Sequence, residues 1–304
     1  GTLFAERGDG ASMPEQDSAK KELFETMPIP SAVSRMCVPM VVTSLVTVVY
    51  NMADTYFVGL LGDPVQSAAV TLAYPVVLAF NAMNNLFGVG SSSLVSRSLG
   101  QGNTEQARNA SAFGFWGAVF GGLLYSLVCT VFQAPLLGLL GADASTRQAT
   151  MEYMYWVVTW GAAPTILNVV QGQLVRSEGS AVHASIGTMS GCILNIVLDP
   201  IFILPWGLNM GAAGAGLATF ISNCVACLYF IVLAWTKHGR TVVSMDLRRL
   251  RHMPPAVMKN VLAVGVPAAI QNLLNVVGNT ILNNFTAAYG AVAVAAMGVS
   301  TRLI

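Results

Sequence analysis

The chain has 304 residues, 54% hydrophobic and only 10% charged, with a mean hydropathy of +0.63. A soluble domain carries about 25% charged residues, so the composition excludes a soluble globular protein and predicts a polytopic membrane protein. The net charge of +1 offers no basic footprint for nucleic acid; the positions of the charges carry the information.

In chain order, residues 1–27 are charged and polar with no apolar core and read as a solvated tail. Pro28 and Pro30 lead into a first span, apolar from Met36 to Leu61 except for small hydroxyls, Asn51 and one acid, Asp54. That length crosses a hydrocarbon core of about 30 Å at 1.5 Å per residue. Gly62-Asp63-Pro64 is a turn. The second span runs from Ser67 to Leu94 and carries Asn81, Asn84 and Asn85 at i, i+3 and i+4, on one face. A polar loop, SRSLGQGNTEQAR, precedes the glycine-rich third span, Ala110 to Phe132. Residues 134–147 form a loop. The fourth span, Met151 to Leu174, contains Pro164, Asn168 and Gln171, and RSEGS follows it. The fifth span, Ala181 to Leu204, contains Asn195 and Asp199. The sixth, Ala212 to Trp235, opens with GAAGAG, small residues that let helices approach closely. Residues 237–259 are the most basic stretch and read as a partly helical linker on the membrane surface. A seventh span covers Val261 to Ala288, and an eighth starts near Ala291.

The first span recurs. Shifted by 228 positions, Pro39 falls on Pro267, Asn51 on Asn279, Phe57 on Phe285, Gly62 on Gly290 and Ala68 on Ala296. Val33, Val38, Leu45, Val48 and Val49 also meet their own residue type. Prolines, glycines and asparagines among the matches mark an internal repeat rather than shared apolarity. The expected organisation is a tail (1–27), a six-helix lobe (28–236), a basic linker (237–259) and the start of a second lobe (260–304). A complete second copy would extend to about residue 480–490 by the same repeat length, so the repeat predicts a protein longer than this segment.

Lysines and arginines concentrate in the tail, in the loops after spans two and four and in the linker. The loops after spans one, three and five hold only Arg147. The positive-inside rule then puts the N-terminus in the cytoplasm, and six spans bring the chain back there. The lobes are parallel repeats about an axis along the membrane normal.

An unpaired carboxylate at bilayer depth costs roughly 2.5–3.5 kcal/mol on insertion scales, so Asp54 and Asp199 demand a reason. Asp54 is five residues before Gly59, Asp199 six before Pro205, and Thr219 eight past Gly211. All three therefore lie about 8–12 Å from the same end of their helices. Asn195 is one turn from Asp199; Tyr50 and Asn51 precede Asp54 by one turn. Pro200 frees the carbonyl of Ile196, a ligand for a carboxylic acid proton or Na⁺. A bland reading, in which each acid bonds a neighbouring helix, competes for every one of these groups. Tyr50 and Tyr74 read as core or interface residues, and Thr219 alone as a packing hydroxyl. For Asn81, Asn84 and Asn85, packing and lining a cavity weigh equally. Asn272, Asn275, Asn279 and Asn283 share a face of span seven, with Gln271 beside it, and Arg302 lies inside span eight. That face is expected to line a wet cavity between the lobes. Cys224 and Cys227 form an isolated CxxC without a second pair or histidine cluster, which argues against zinc. The sequence holds no HExxH and no intramembrane catalytic pattern. His183 is at an interface and His238 and His252 are in the linker, so an enzyme is not expected.

YNMADTYFVG in span one, RSEG after span four, NIVLDPIFI in span five and GAAGAGLATFIS in span six resemble the multidrug and toxic compound extrusion (MATE) family, over residues 25–304. The resemblance implies an all-α protein of two six-helix lobes, here with the first complete and the second begun. It implies alternating access and efflux of lipophilic cationic drugs driven by H⁺ or Na⁺, with no cofactor. By position, Asp54, Asn195, Asp199 and Thr219 match the family's cation site, and Na⁺ at Asp54, Asp199 and Asn195 is one form of it. Tyr50, Asn51, Asn81, Asn84, Asn85, Gln271, Asn272, Asn275, Asn279 and Arg302 would line the substrate cavity. Some members place a carboxylate in span seven; Gln271 and asparagines stand here instead, which puts the coupling on the first lobe. A monomer in a bacterial inner membrane is expected. The alternative, a lipid-linked oligosaccharide flippase of the same superfamily, needs a cationic cavity for pyrophosphate, for which Arg302 is the only intramembrane candidate.

Overall fold

The computed structural model describes residues 23, 26–142, 144–287 and 289. Arg302 and the eighth span lie outside the described residues, as do the side chains of Asn279 and Asn283. The described chain is helical apart from turns and a short extended run. Helix α1 is Ile29–Gly59. Helix α2 (Pro64–Asn84) passes through a π-helical turn, Asn85–Val89, into α3 (Gly90–Gly100). Then come α4 (Thr104–Val131), the short α5 (Gln133–Leu139) and α6 (Arg147–Met154), which runs into a second π turn at Tyr155–Trp160. Helices α7 (Ala162–Ser177), α8 (Ala181–Ile203) and α9 (Ala212–Thr236) complete the first lobe. The linker holds α10 (Leu247–Arg251), and α11 (Pro255–Ala287) follows.

Among the described residues six helices are long and apolar enough to cross a membrane: Ile29–Gly59, Pro64–Gly100, Thr104–Val131, Ala181–Ile203, Ala212–Thr236 and Pro255–Gly278. The second runs to Gly100 and the next helix starts at Thr104, so the expected polar loop is helical except at residues 101–103. The expected fourth span is a helix broken at Gly161. Pro164 cannot donate to the carbonyl one turn back, at Trp160, which loosens the ladder where the π turn ends. Neither piece alone reaches the length of a span. The pieces stay in place because they are packed: Ile166, Val170 and Leu174 of α7 are fully buried against the other helices.

Turns are set locally. Asp63 caps α2 by accepting from the Val65 N–H (2.9 Å), and Asn103 caps α4 through the Gln106 N–H (3.1 Å). Gly62 and Gly179 adopt positive φ (61° and 87°), which glycine tolerates, and they reverse the chain after α1 and α7. Both ends of the lobe can be told apart by charge. Arg97, Arg108 and Arg176 mark the basic end; Gly62–Pro64 and the α8–α9 turn mark the far end.

The repeat has a structural counterpart: α1 and α11 are long helices that each contain a proline, Pro39 and Pro267. Helix α11 lies tightly on the first lobe. A Cβ at Gly90 would overlap the Val261 carbonyl, and one at Gly265 the Leu86 carbonyl. Only glycine permits that approach. Helix α1 is the opposite case: of its 31 residues only Thr43 and Val58 are buried. It rests on α8, where the Ser185 hydroxyl donates to the Pro39 carbonyl (3.0 Å).

The linker is not a free surface strand. Glu178, which is 3% exposed, accepts from the Thr241 hydroxyl (2.8 Å) and the Val242 N–H (3.1 Å). The Ser244 N–H donates to the Ser111 hydroxyl (3.0 Å), and the Trp116 indole donates to the Met245 carbonyl (3.2 Å). These four bonds strap residues 241–245 across the basic end of the lobe.

Candidate functional site

The acids meet inside the lobe near its far end. Helix α8 carries Asn195 and Asp199 one turn apart, and both are buried (1% and 0% exposed). Helix α9 supplies Thr219, whose hydroxyl donates to the Ala215 carbonyl (2.9 Å). The Asn195 amide satisfies both neighbours when its nitrogen faces the acid. The nitrogen then donates to the two Asp199 oxygens (2.8 and 3.2 Å), and its oxygen accepts from the Thr219 N–H (3.1 Å). An amide has one donor end and one acceptor end, so this arrangement links a carboxylate on one helix to the backbone of the next.

Helix α1 brings Tyr50 and Asp54 to the same place. The Tyr50 phenol is within hydrogen-bonding reach of the Thr219 hydroxyl. Asp54 is half-buried, with one carboxylate oxygen buried and without a protein partner. Tyr50, Asp54 and Asp199 all lie within electrostatic range of Tyr153, a buried residue of α6. The cluster is thus two carboxylates, two phenols, an amide and a hydroxyl from four helices. A donor-poor, oxygen-rich set of this kind suits a proton or a hard monovalent cation.

Sequence reasoning missed Tyr153, although the signal was present. It is six residues past Arg147, at the depth already worked out for Asp54, Asp199 and Thr219. Tyr50, read as a core or interface residue, belongs to the cluster. Asn51, its neighbour, points away and is exposed.

The asparagines of α2 differ in exposure. Asn81 is exposed, whereas Asn84 is 5% exposed and donates to Asn81 Oδ1 at 3.5 Å. Asn85, in the π turn, donates to the Ala268 carbonyl of α11 (3.5 Å). The backbone from Asn81 to Asn85 is still α-helical, with the Asn85 N–H donating to the Asn81 carbonyl, and the π turn follows from there. On α11, Gln271 and Asn275 are exposed, and Asn272 is half-buried with a buried, unpartnered Oδ1. Asn85 therefore belongs to the contact between α11 and the first lobe.

A six-helix lobe with a buried acid and a half-buried one in electrostatic range of it, followed by a helix that repeats the first, defines a polytopic helical membrane protein of the two-lobed transporter class. The chain belongs to the MatE family: that family's model matches residues 39–201. It is 33% identical over 281 residues to the multidrug export protein MepA of Staphylococcus aureus strain MSSA476, covering 92% of this chain and 61% of that protein. MepA of Staphylococcus saprophyticus is 32% identical over the same shares. Among solved structures, a MOP superfamily transporter from Pyrococcus furiosus, described as having a binding pocket of reverse polarity, superposes with a TM-score of 0.84 at 29% identity. The match covers 93% of this chain and 61% of that one. A MATE transporter matches in its straight conformation (TM-score 0.83; 29% identity; 92% and 61%) and in its bent one (0.81; 29%; 93% and 62%). The chain spans about 61% of the length of the relatives it matches.

Proposed function

We propose that the complete protein is a secondary active exporter that exchanges lipophilic cationic compounds for H⁺ or Na⁺ by alternating access of two lobes. The observation that carries this reading is the convergence of Asp54 and Asp199, from separate helices, on one buried site with Asn195 and Thr219. Two carboxylates in a lobe interior are expensive unless a cation is exchanged there. With both acids ionised the site attracts a cation from the far side. Binding H⁺ or Na⁺ discharges it, removes the reason for α1 to stay solvated, and shifts that helix. The cationic compound leaves from the inter-lobe cavity as the coupling ion enters. One charge moving inward through 100 mV supplies about 2.3 kcal/mol, more than tenfold in concentration ratio. Tyr50 and Tyr153 position the cluster. Asn85 shapes the lobe contact beside the cavity. The N-terminus is cytoplasmic and the protein sits as a monomer in a bacterial cell membrane, in contact with lipid.

The test is ethidium efflux from proteoliposomes holding the complete protein, under imposed pH or Na⁺ gradients. Gradient-driven efflux lost in Asp54→Asn and Asp199→Asn is expected. Wild-type rates in both variants would sink the reading.

A further inference from the structure

Helical hydroxyls in this lobe normally close onto their own helix. Thr219 donates to Ala215 (2.9 Å), Thr188 to Ala184 (3.1 Å) and Thr43 to Pro39 (2.8 Å). Ser222 does not. It lies one turn along α9 from Thr219, is 4% exposed, and its hydroxyl has no protein partner. Its neighbour Asn223 is fully engaged. Asn223 Nδ2 donates to the Thr165 hydroxyl (3.0 Å) and its Oδ1 accepts from Asn168 Nδ2 (3.2 Å). Asn168 Oδ1, however, is buried and unpartnered. One turn further along α7, Gln171 is 1% exposed and its Oε1 is also unpartnered. Beside it Gly172 leaves room for a methyl and no more: a Cβ there would rest in van der Waals contact with the Phe230 ring and the Thr188 hydroxyl, both at 3.6 Å. Near the basic end of the same helix the Arg176 Nε is buried without a partner.

These groups follow one another from the acid cluster towards the basic end, because α7 and α9 run in the same direction. Thr165 to Arg176 is eleven residues, about 16 Å of helix. Each buried oxygen left unpaired would cost about 1–3 kcal/mol. Three such oxygens along α7 and α9 call for small polar occupants. Water fits, since it both donates to the orphan oxygens and accepts from Arg176.

We propose that Ser222, Asn168 and Gln171 line a water file through the first lobe, along which the coupling proton leaves the Asp54–Asp199 cluster for the basic end. The step is a proton transfer only. The carboxylic O–H gives its proton to the first water, the carboxylate is regenerated, and one proton emerges from the last water. The amides do not titrate; they orient the waters. The proton therefore never enters the cavity between the lobes, where the exported cation travels. This inference rests on the antiport reading above, and its test separates the two.

The complete protein is reconstituted with all of its cysteines replaced by serine and Ser222→Cys introduced. Ag⁺, an ion small enough to follow water, is applied from either face, and the remaining free thiol is counted after denaturation. Reaction from the basic face at least tenfold faster than at Ala118→Cys, a fully buried apolar position, is expected, and Gln171→Leu should slow it by tenfold or more. Equal rates at the two positions would overturn the file. In the transport arm, Gly172→Leu should cut H⁺-driven ethidium efflux at least tenfold while ethidium binding persists, and Gly172→Ala should leave both intact. Should Gly172→Leu fail to fold, Gln171→Leu carries the same readout. Unchanged H⁺-driven efflux in the plugged variant, or efflux driven by Na⁺ alone, overturns the proton route. If no gradient drives efflux in the wild type, the antiport reading falls with the proton route, and the Ag⁺ rates still decide whether the file is wet.

Discussion

Removing Glu178 should release the linker from the lobe. Its carboxylate takes two bonds, from the Thr241 hydroxyl (2.8 Å) and the Val242 N–H (3.1 Å), in a setting that is 3% exposed. Hydrogen bonds to a charged group contribute about 1.5–3 kcal/mol each. Against that, the freed donors regain water once the strap lifts, so Glu178→Ala should cost about 2–4 kcal/mol of local stability. At 1.4 kcal/mol per decade this is roughly a 30- to 700-fold rise in the open population. Amide hydrogen exchange at Val242 and Val243 reads that population directly. Glu178→Gln keeps one acceptor oxygen and should show a smaller rise. The exposed pair of Arg249 with Glu105 (2.6 Å; 22% and 68% exposed) will not hold the strap, since surface ion pairs are worth about 0–1 kcal/mol. Exchange rates within threefold of wild type in Glu178→Ala would refute the argument.

Two further predictions concern packing and the cluster. Gly265→Ala places a methyl against the Leu86 carbonyl and should lower thermal stability by about 1–3 kcal/mol as an overpacked contact; Gly278→Ala, with open space around it, should not, and equal melting of the two would remove the close approach from consideration. Tyr153→Leu should slow gradient-driven efflux at least fivefold with ethidium binding retained, and Tyr153→Phe should separate ring from hydroxyl; wild-type efflux in Tyr153→Leu would take that residue out of the cluster.

Apolar length placed the helices from sequence because bilayer thickness leaves few alternatives, and the acids betrayed the cluster because burial makes each one costly. The depth ladder put Asp54, Asp199 and Thr219 at one level, and they do converge. What the ladder lacked was the rotation of each helix. Asn81, Asn84 and Asn85 stand on one α-helical turn, yet one is exposed, one buried and one half-buried, because the neighbouring helices cover that turn unevenly. The fourth span was legible in length but not in continuity, since the effect of Pro164 depends on how far neighbouring helices tolerate a freed carbonyl. The linker's basic residues suggested a membrane surface. Its attachment to the lobe depends on three residues distant in sequence, Ser111, Trp116 and Glu178, none of which carries a local signal for it.

The two acids sit on helices held very differently. Helix α8 buries Ala181, Ala184, Ser185, Gly187, Gly191, Asn195, Asp199 and Ile203, so Asp199 sits on a face packed along the whole helix. Helix α1 buries only Thr43 and Val58 and meets the lobe along a single face. A change in charge between Asp54 and Asp199 therefore acts on one rigid partner and one loose one, and the loose helix is the one that moves. Pro39 adds a point where α1 lacks an intrahelical bond, so bending there costs less than sliding the whole helix against α8. On the proposed reading this asymmetry converts a local discharge into a displacement at the lobe's open side. Tying α1 to α8 with a crosslink between Thr47 and Cys192, whose side chains lie 3.9 Å apart, should then stop gradient-driven efflux while ethidium still binds. Efflux that survives a complete Thr47→Cys to Cys192 crosslink would place the moving element elsewhere.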